Sequence, residues 1–273
     1  MFATHNSSTG RRVRRLTALT LAALIGCATG EKRSAGAEIK PNAPDSPVAR
    51  AQRALNEAQR RHRSEPTNAV AAWKLSRACF DRAEFATDHA ERAALANRGI
   101  TAARQALARG SNAAPAHYYL GMNLGQLART KTLGALKLVD QMEREFHLAR
   151  ALDERFDFAG PHRNLGLLYL EAPTIASVGD RGKARLHLQR AAELCPDYPE
   201  NRLNLLEAYL RWNDRAEMRR ELKAIEALWP AARTNFTGEA WVGAWRDWVR
   251  RREELARKAG EASSPPVSSS TKS

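Results

Sequence analysis

The chain has 273 residues, 43% of them hydrophobic, and 44 Lys and Arg against 30 Asp and Glu give a formal net charge of +14. That is enough for one elongated repeat domain or two small globular ones, with the apolar content of a protein that buries a core. The histidines at 5, 62, 89, 117, 147, 162 and 187 form no HExxH pattern, and there is neither a serine nucleophile elbow nor a glycine-rich phosphate loop. The three cysteines show no paired metal spacing. The expectation is a protein without catalytic residues, metal or cofactor.

The first segment is an address. Arg11, Arg12, Arg14 and Arg15 precede an apolar run over residues 16–26, which is too short to span a bilayer, and Cys27 follows. Leu24, Ile25, Gly26 and Cys27 resemble the lipobox of bacterial lipoproteins. The resemblance implies a signal peptide at 1–26, a lipid-modified Cys27 and a place in the bacterial cell envelope facing the periplasm. Ala28 in place of Asp after that cysteine resembles outer-membrane rather than inner-membrane sorting. Several acyl chains on one residue hold a protein to a membrane where a single chain does not. Export removes nucleic acid as a partner despite the positive charge, and leaves anionic partners or lipid head groups.

Residues 27–46, rich in Gly, Ala, Pro and charge, read as a flexible tether, and the folded body is expected over 47–259. Pro47 opens a helix with Ala51, Ala54, Leu55 and Ala58 on one face, an N-terminal cap. Two stretched helical hairpins follow. The first carries Leu75, Cys79 and Ala103, and the second Leu120, Gly121, Met142 and Phe146. The pattern is clearest in the last two. Leu165, Gly166, Tyr169, Ala184, Leu188, Ala191 and Pro196 are matched by Leu205, Leu206, Tyr209, Met218, Leu222, Ile225 and Pro230, and the two prolines lie 34 residues apart. This resembles the tetratricopeptide repeat, whose period is about 34 residues. The fold class expected is therefore all-α, a tetratricopeptide-type helical-hairpin solenoid with capping helices at both ends. Its register places Cys79 and Cys195 in hairpins too far apart for a bridge, as small buried hydrophobes.

The hairpin tips carry insertions of different character. Residues 81–97 hold no Pro or Gly and predict longer helices on both sides; residues 129–140, with Leu133, Leu136, Leu138 and Val139, predict a short helix or lid; residues 171–182, with Pro173, Gly179 and Gly182, predict a true loop. Helical order is expected to break between Pro230 and Gly238. A last helix follows from about Glu239 to Lys258, with Trp241, Ala244, Trp245 and Trp248 in one stripe opposite arginines at 246, 250, 251 and 252. The stripe reads as a cap over the last hairpin or as an oligomer or partner surface. The tail, 260–273, is low in complexity and is expected to be disordered.

In such repeats the first helix of each hairpin lines an inner groove. The register offers Trp73, Arg77, Tyr118, Met122, Arg163, Glu207 and Arg211 as partner-binding residues, with Val70, Asp81, Gln126, Leu167, Glu171 and Leu203 beside them. Asn164 and Asn204 share one register position, where an amide both donates to and accepts from a peptide backbone. His162 and His187 approach each other in the third hairpin and read as structural. Asp153, Glu154 and Asp157 read as a charged turn.

Gly160-Pro161-His162, Glu171-Ala172-Pro173, Gly179-Asp180, Lys183-Ala184-Arg185 and Leu186-His187-Leu188 resemble the TatT family, periplasmic lipoproteins associated with TRAP-type solute transporters. That resemblance implies an all-helical, trimeric protein that docks a solute-binding subunit, with no catalytic residues. The expected function is a protein-interaction scaffold, and the resemblance implies the role of a transporter accessory. The alternatives are an envelope-assembly or secretion scaffold for extended peptides, and a carrier with a closed apolar pocket near residues 133–139.

Overall fold

The computed structural model describes residues 46–110, 113–174 and 177–263. Cys27, the leader, most of the tether and the last ten residues of the tail lie outside the described residues. Among the described residues the chain is all-α. In order, α1 is Pro47–Ser64, α2 Ala69–Ala83, α3 His89–Ala108, α4 Ala114–Ala128, α5 Ala135–Leu152, α6 Phe156–Glu171, α7 Arg181–Leu194, α8 Pro199–Arg211 and α9 Arg215–Asn235; a 3-10 turn, Glu239–Trp241, leads into α10, Val242–Ser263. Helices α2 to α9 pair into four hairpins, each packed on the next, with α1 against α2 and α10 against α8 and α9.

The same start signals recur along the stack. Ser46 Oγ accepts from Ala49 N with Pro47 in the first turn of α1, and Asn68 Oδ1 accepts from Val70 N and Ala71 N at α2. Three of the four second helices, α3, α7 and α9, begin on an aspartate, whose carboxylate accepts from the amide three residues on: Asp88 from Glu91, Asp180 from Lys183 and Asp214 from Glu217. Each such cap satisfies a donor that the first helical turn leaves open and stabilises by about 1 kcal/mol. Between paired helices, Phe146 packs against Gly121 and Leu188 against Gly166, which confirms the register that equates the second and third hairpins.

Two of the three insertions resolve differently from expectation, and the third, the loop after Glu171, is found as expected. Helix α2 stops at Ala83, and the extra turns go to α3 alone. The stop comes from a capping box: Asp88 accepts from Glu91 N while the Glu91 carboxylate accepts from Thr87 N at 2.8 Å, fixing the start of α3 at His89. Residues 129–134 are a turn rather than a lid. Gly134 (φ 81°) leads directly into α5, Leu133 is 88% exposed and Leu136 43% exposed. The loop after Glu171 is present and tight: Gly179 N donates to Pro173 O, Asp180 N donates to Tyr169 O, and a Cβ on Gly179 would lie 2.1 Å from Ala172 O. Gly179 and Asp180 are thus required by loop packing and by the α7 cap.

The C-terminal end also departs from expectation. Pro230 lies inside α9, which continues to Asn235. Proline removes one amide donor, but Leu228, Trp229, Ala232 and Phe236 bury their side chains on both sides of it, and that burial outweighs the lost bond. Helix α10 extends past Lys258 into the segment expected to be low in structure. Its aromatic stripe caps the stack: Trp248 is 1% exposed and its Nε1 donates to Glu200 Oε2 at 2.8 Å, while Trp245 Nε1 donates to Phe236 O. Arg251 is not on the solvent face with its neighbours. It is 5% exposed and donates to Glu200 Oε1 at 2.7 Å, Asn204 Oδ1 at 2.7 Å and Glu207 Oε2 at 3.0 Å. Cys79 and Cys195 are both free, the first buried and the second half-buried.

Replacing Trp248 with Ala removes the largest fully buried side chain of the cap and leaves the Glu200 carboxylate short of a donor. Chemical denaturation of Trp248→Ala should show a loss of about 3–5 kcal/mol; an unchanged midpoint would mean that α10 is not part of the folded stack.

Candidate functional site

The inner face is organised at the junction between the second and third hairpins. Asp157, Phe158 and Ala159 take left-handed backbone angles (φ 51°, 55° and 61°) before α6 resumes its right-handed course. For residues other than glycine this conformation costs roughly 1–2 kcal/mol each. Arg163 supplies what holds it: from one turn further along α6, its guanidinium donates to the carbonyls of Asp157 (3.2 Å) and Phe158 (3.1 Å), to Asp157 Oδ2 (2.9 Å) and to Asn201 Oδ1 (3.2 Å). Asn201 Nδ2 in turn donates to Phe158 O and Ala191 O, both at 3.0 Å.

Tyr118 of α4 joins this node. Its hydroxyl donates to Asp157 Oδ2 at 2.6 Å and accepts from Asn164 Nδ2 at 2.9 Å. Burial pushes the phenol above its ordinary pKa and the neighbouring Asp157 pushes it further, so it remains a neutral donor. Gly160 makes the approach possible, because a Cβ there would lie 2.7 Å from the Tyr118 hydroxyl. The charged turn expected at Asp153, Glu154 and Asp157 is thus tied at Asp157, a third exposed, into the buried network of Arg163 and Tyr118.

Beyond this node the first two hairpins carry an aromatic and charged cluster on the inner face, and Arg211 of the fourth hairpin is exposed on it as well. Trp73 and Tyr119 stack with their planes 2° apart and centroids 6.2 Å apart, and Phe156 meets Tyr119 edge-on. Arg77 lies over Tyr119 at 5.9 Å and its Nε is 3.5 Å from Asp81 Oδ2. Water still reaches the Arg77 and Asp81 side chains, which are 57% and 44% exposed, yet the surrounding walls crowd the carboxylate. Desolvation, helped by Asp157 and Glu84 and opposed by Arg77, raises Asp81 to about 6.

The structure separates the residues predicted for the groove. Trp73 is half-buried and Arg77 exposed. Arg211 is exposed and ion-paired with Glu171 and Glu207. Tyr118, Met122, Arg163, Asn164 and Asn204 are buried. The two asparagine rungs do not stand open to a peptide side by side: Asn164 donates to Tyr118, and Asn204 Oδ1 accepts from Arg251 because α10 lies across it. Sequence reasoning passed over Tyr119, Phe156, Asn201, Glu200 and Arg251. The aromatic pair Tyr118-Tyr119 was visible in the sequence; Arg251 was masked by the basic run around it.

His162 and His187 do meet, with Nδ1 atoms 3.0 Å apart, and His147 Nε2 lies 3.0 Å from the Tyr169 hydroxyl. Among the described residues no group of three or more His, Cys, Asp and Glu side chains is placed to hold a metal ion.

Residues 45–169 match the family model described as regulator of microtubule dynamics protein 1-3. No curated protein matches the chain. Among solved structures, a thermophilic TPR protein of Thermus thermophilus superposes with a TM-score of 0.52 at 19% identity, over 79% of this chain and 91% of that one. The fold is a tetratricopeptide-type solenoid. At that identity the likeness extends to the fold and not to the partners.

Two measurements test the site. Arg163→Met takes the charged donor from the Asp157 carboxylate and from the carbonyls of Asp157 and Phe158, leaving only Tyr118 on the carboxylate and Asn201 on Phe158 O, and urea denaturation should register a loss of about 3–5 kcal/mol; a loss below about 1 kcal/mol would mean that the turn holds itself. The second concerns pH. Burial, with repulsion from His162 and Arg150, lowers His187 to about 3, so its neutral form is favoured in the fold. Its contribution is complete above the unfolded value of about 6.5 and is lost as pH falls from there toward 3. Asp81, raised to about 6, acts with the opposite sign, destabilising as pH rises from 3.8 to 6. In an Asp81→Asn background the melting temperature should fall between pH 6.5 and 4.5, and His187→Asn should flatten that fall; parallel curves would refute the assignment.

Proposed function

We propose that this chain is a non-enzymatic protein-interaction scaffold of the bacterial cell envelope, lipid-anchored at Cys27 and facing the periplasm, more consistent with the outer than the inner membrane. The observation that carries the scaffold reading is the Trp73, Tyr119, Arg77 and Asp81 cluster on the first two hairpins. Half-buried Trp73 offers aromatic area, with buried Tyr119 stacked behind it as support, and Arg77 and Asp81 offer both charges, all on helices already ordered by inter-repeat packing, so a partner binds at little ordering cost. The TatT-like motifs support one partner class above others, a solute-binding subunit of a TRAP-type transporter, with this chain as its accessory. Gly179 and Asp180 carry less weight in that argument, since the tight loop and the α7 cap account for them. No cofactor or metal enters this reading.

A second reading, capture of an extended peptide by an assembly or secretion scaffold, has one observation in its favour: Asn204 Nδ2 is buried without a hydrogen-bond partner. Arg251 would have to stay on Asn204 Oδ1 while a peptide carbonyl took the amide nitrogen.

Trp73→Ala combined with Arg77→Ala should weaken capture of a purified TRAP solute-binding subunit by about tenfold or more while the melting temperature stays within a few degrees, because both side chains reach solvent. Undiminished capture by the double variant would remove the groove from the account. For the anchor, Cys27→Ala should abolish incorporation of labelled palmitate and release the chain from membranes; a variant that still fractionates with membranes would contradict lipidation at Cys27.

A further inference from the structure

The outer face carries a polar cleft that neither the repeat packing nor the inner groove uses. It has a volume of about 640 Å³ and lies between the end of α5, the right-handed part of α6 and the middle of α7. His162 and His187, each 5% exposed, form its floor; Leu152 and Leu186, 39% and 63% exposed, stand at its rim. The Nδ1 contact between the imidazoles needs one donor and one acceptor. When His187 donates, the proton of neutral His162 sits on Nε2.

Two donors at this cleft are poorly served: Arg150 Nε has no acceptor, and His162 Nε2 has only the Glu154 carboxylate at 3.4 Å. Both atoms are buried. That carboxylate is already paired with Arg190 at 3.1 Å. Arg190 also reaches Glu193 at 3.6 Å, so its charge is spent locally. Arg150 forms no ion pair among the described residues. Buried donors of this kind normally find partners, and an Arg fork beside an imidazole N–H matches a planar two-oxygen anion.

We infer that this cleft binds a carboxylate borne on a short apolar group, with Arg150 and His162 donating to the carboxylate oxygens and Leu152 and Leu186 packing on the chain behind them. The inference is independent of the inner-face scaffold reading, which concerns other helices. Two sources share this chemistry: a free aliphatic acid and the C-terminal carboxylate of a peptide ending in leucine. Desolvation holds both imidazoles neutral, so Arg150 supplies the positive charge and His162 a neutral N–H.

Titration calorimetry of the folded protein with hexanoate, with acetyl-Gly-Leu as the free acid, and with the same dipeptide as the amide tests the assignment. The acids should bind, the amide at least about tenfold more weakly, and Arg150→Gln should weaken acid binding by a similar factor at an unchanged melting temperature. The tighter of hexanoate and the dipeptide acid identifies the source. Absence of acid binding at millimolar concentration, equal binding of the amide, or full binding by Arg150→Gln would overturn the proposal.

Discussion

The stack depends most on the guanidinium of Arg163. Four repeated hairpins would pack with a uniform step if every junction were alike, but the second and third are joined by a turn of the wrong hand for L-residues. Such a turn persists only where its surroundings over-determine it. Here one buried cation binds two carbonyls of the turn and the Asp157 carboxylate, while Tyr118 from the preceding hairpin and Asn201 from the following one close the network. Three hairpins are thereby tied to one point. A buried charge of this kind is weak evidence for stability in itself; its role is to select one geometry at a junction that helix packing alone leaves free.

A second buried pair closes the far end. Glu200 and Arg251 are 6% and 5% exposed, and burial, which would raise the carboxyl, is outweighed by the Arg251 charge, so Glu200 lies below its ordinary pKa. With Trp248 on the same carboxylate, the pair fixes α10 across α8 and covers the inner-face position of the fourth hairpin. On the first two hairpins Arg77 and Asp81 stay exposed beside half-buried Trp73, which stacks on buried Tyr119.

Much of this was legible in the sequence, and the parts that were not share a cause. The 34-residue spacing and the Gly-to-bulky pairs, Gly121 with Phe146 and Gly166 with Leu188, depend on neighbours in one hairpin, so pattern reading found them. The capping box at Thr87, Asp88 and Glu91 was equally local and was overlooked in a run of strong helix formers. The fate of Asn164 and Asn204 was not local: Tyr118 and Arg251, 46 and 47 residues away, decide it. Pro230 reads as a helix breaker until the apolar residues around it are seen buried. The candidate site was therefore half visible, its outer members Trp73 and Arg77 from register, its inner members only from long-range hydrogen bonds.

Amide hydrogen exchange on the wild type and on Arg163→Met tests the central role of this node most directly. The account predicts faster exchange together in α4, in residues 156–171 and at the start of α8, the three segments joined through Arg163, with α1 to α3 unchanged. Faster exchange confined to residues 157–163, or spread evenly over all helices, would contradict it.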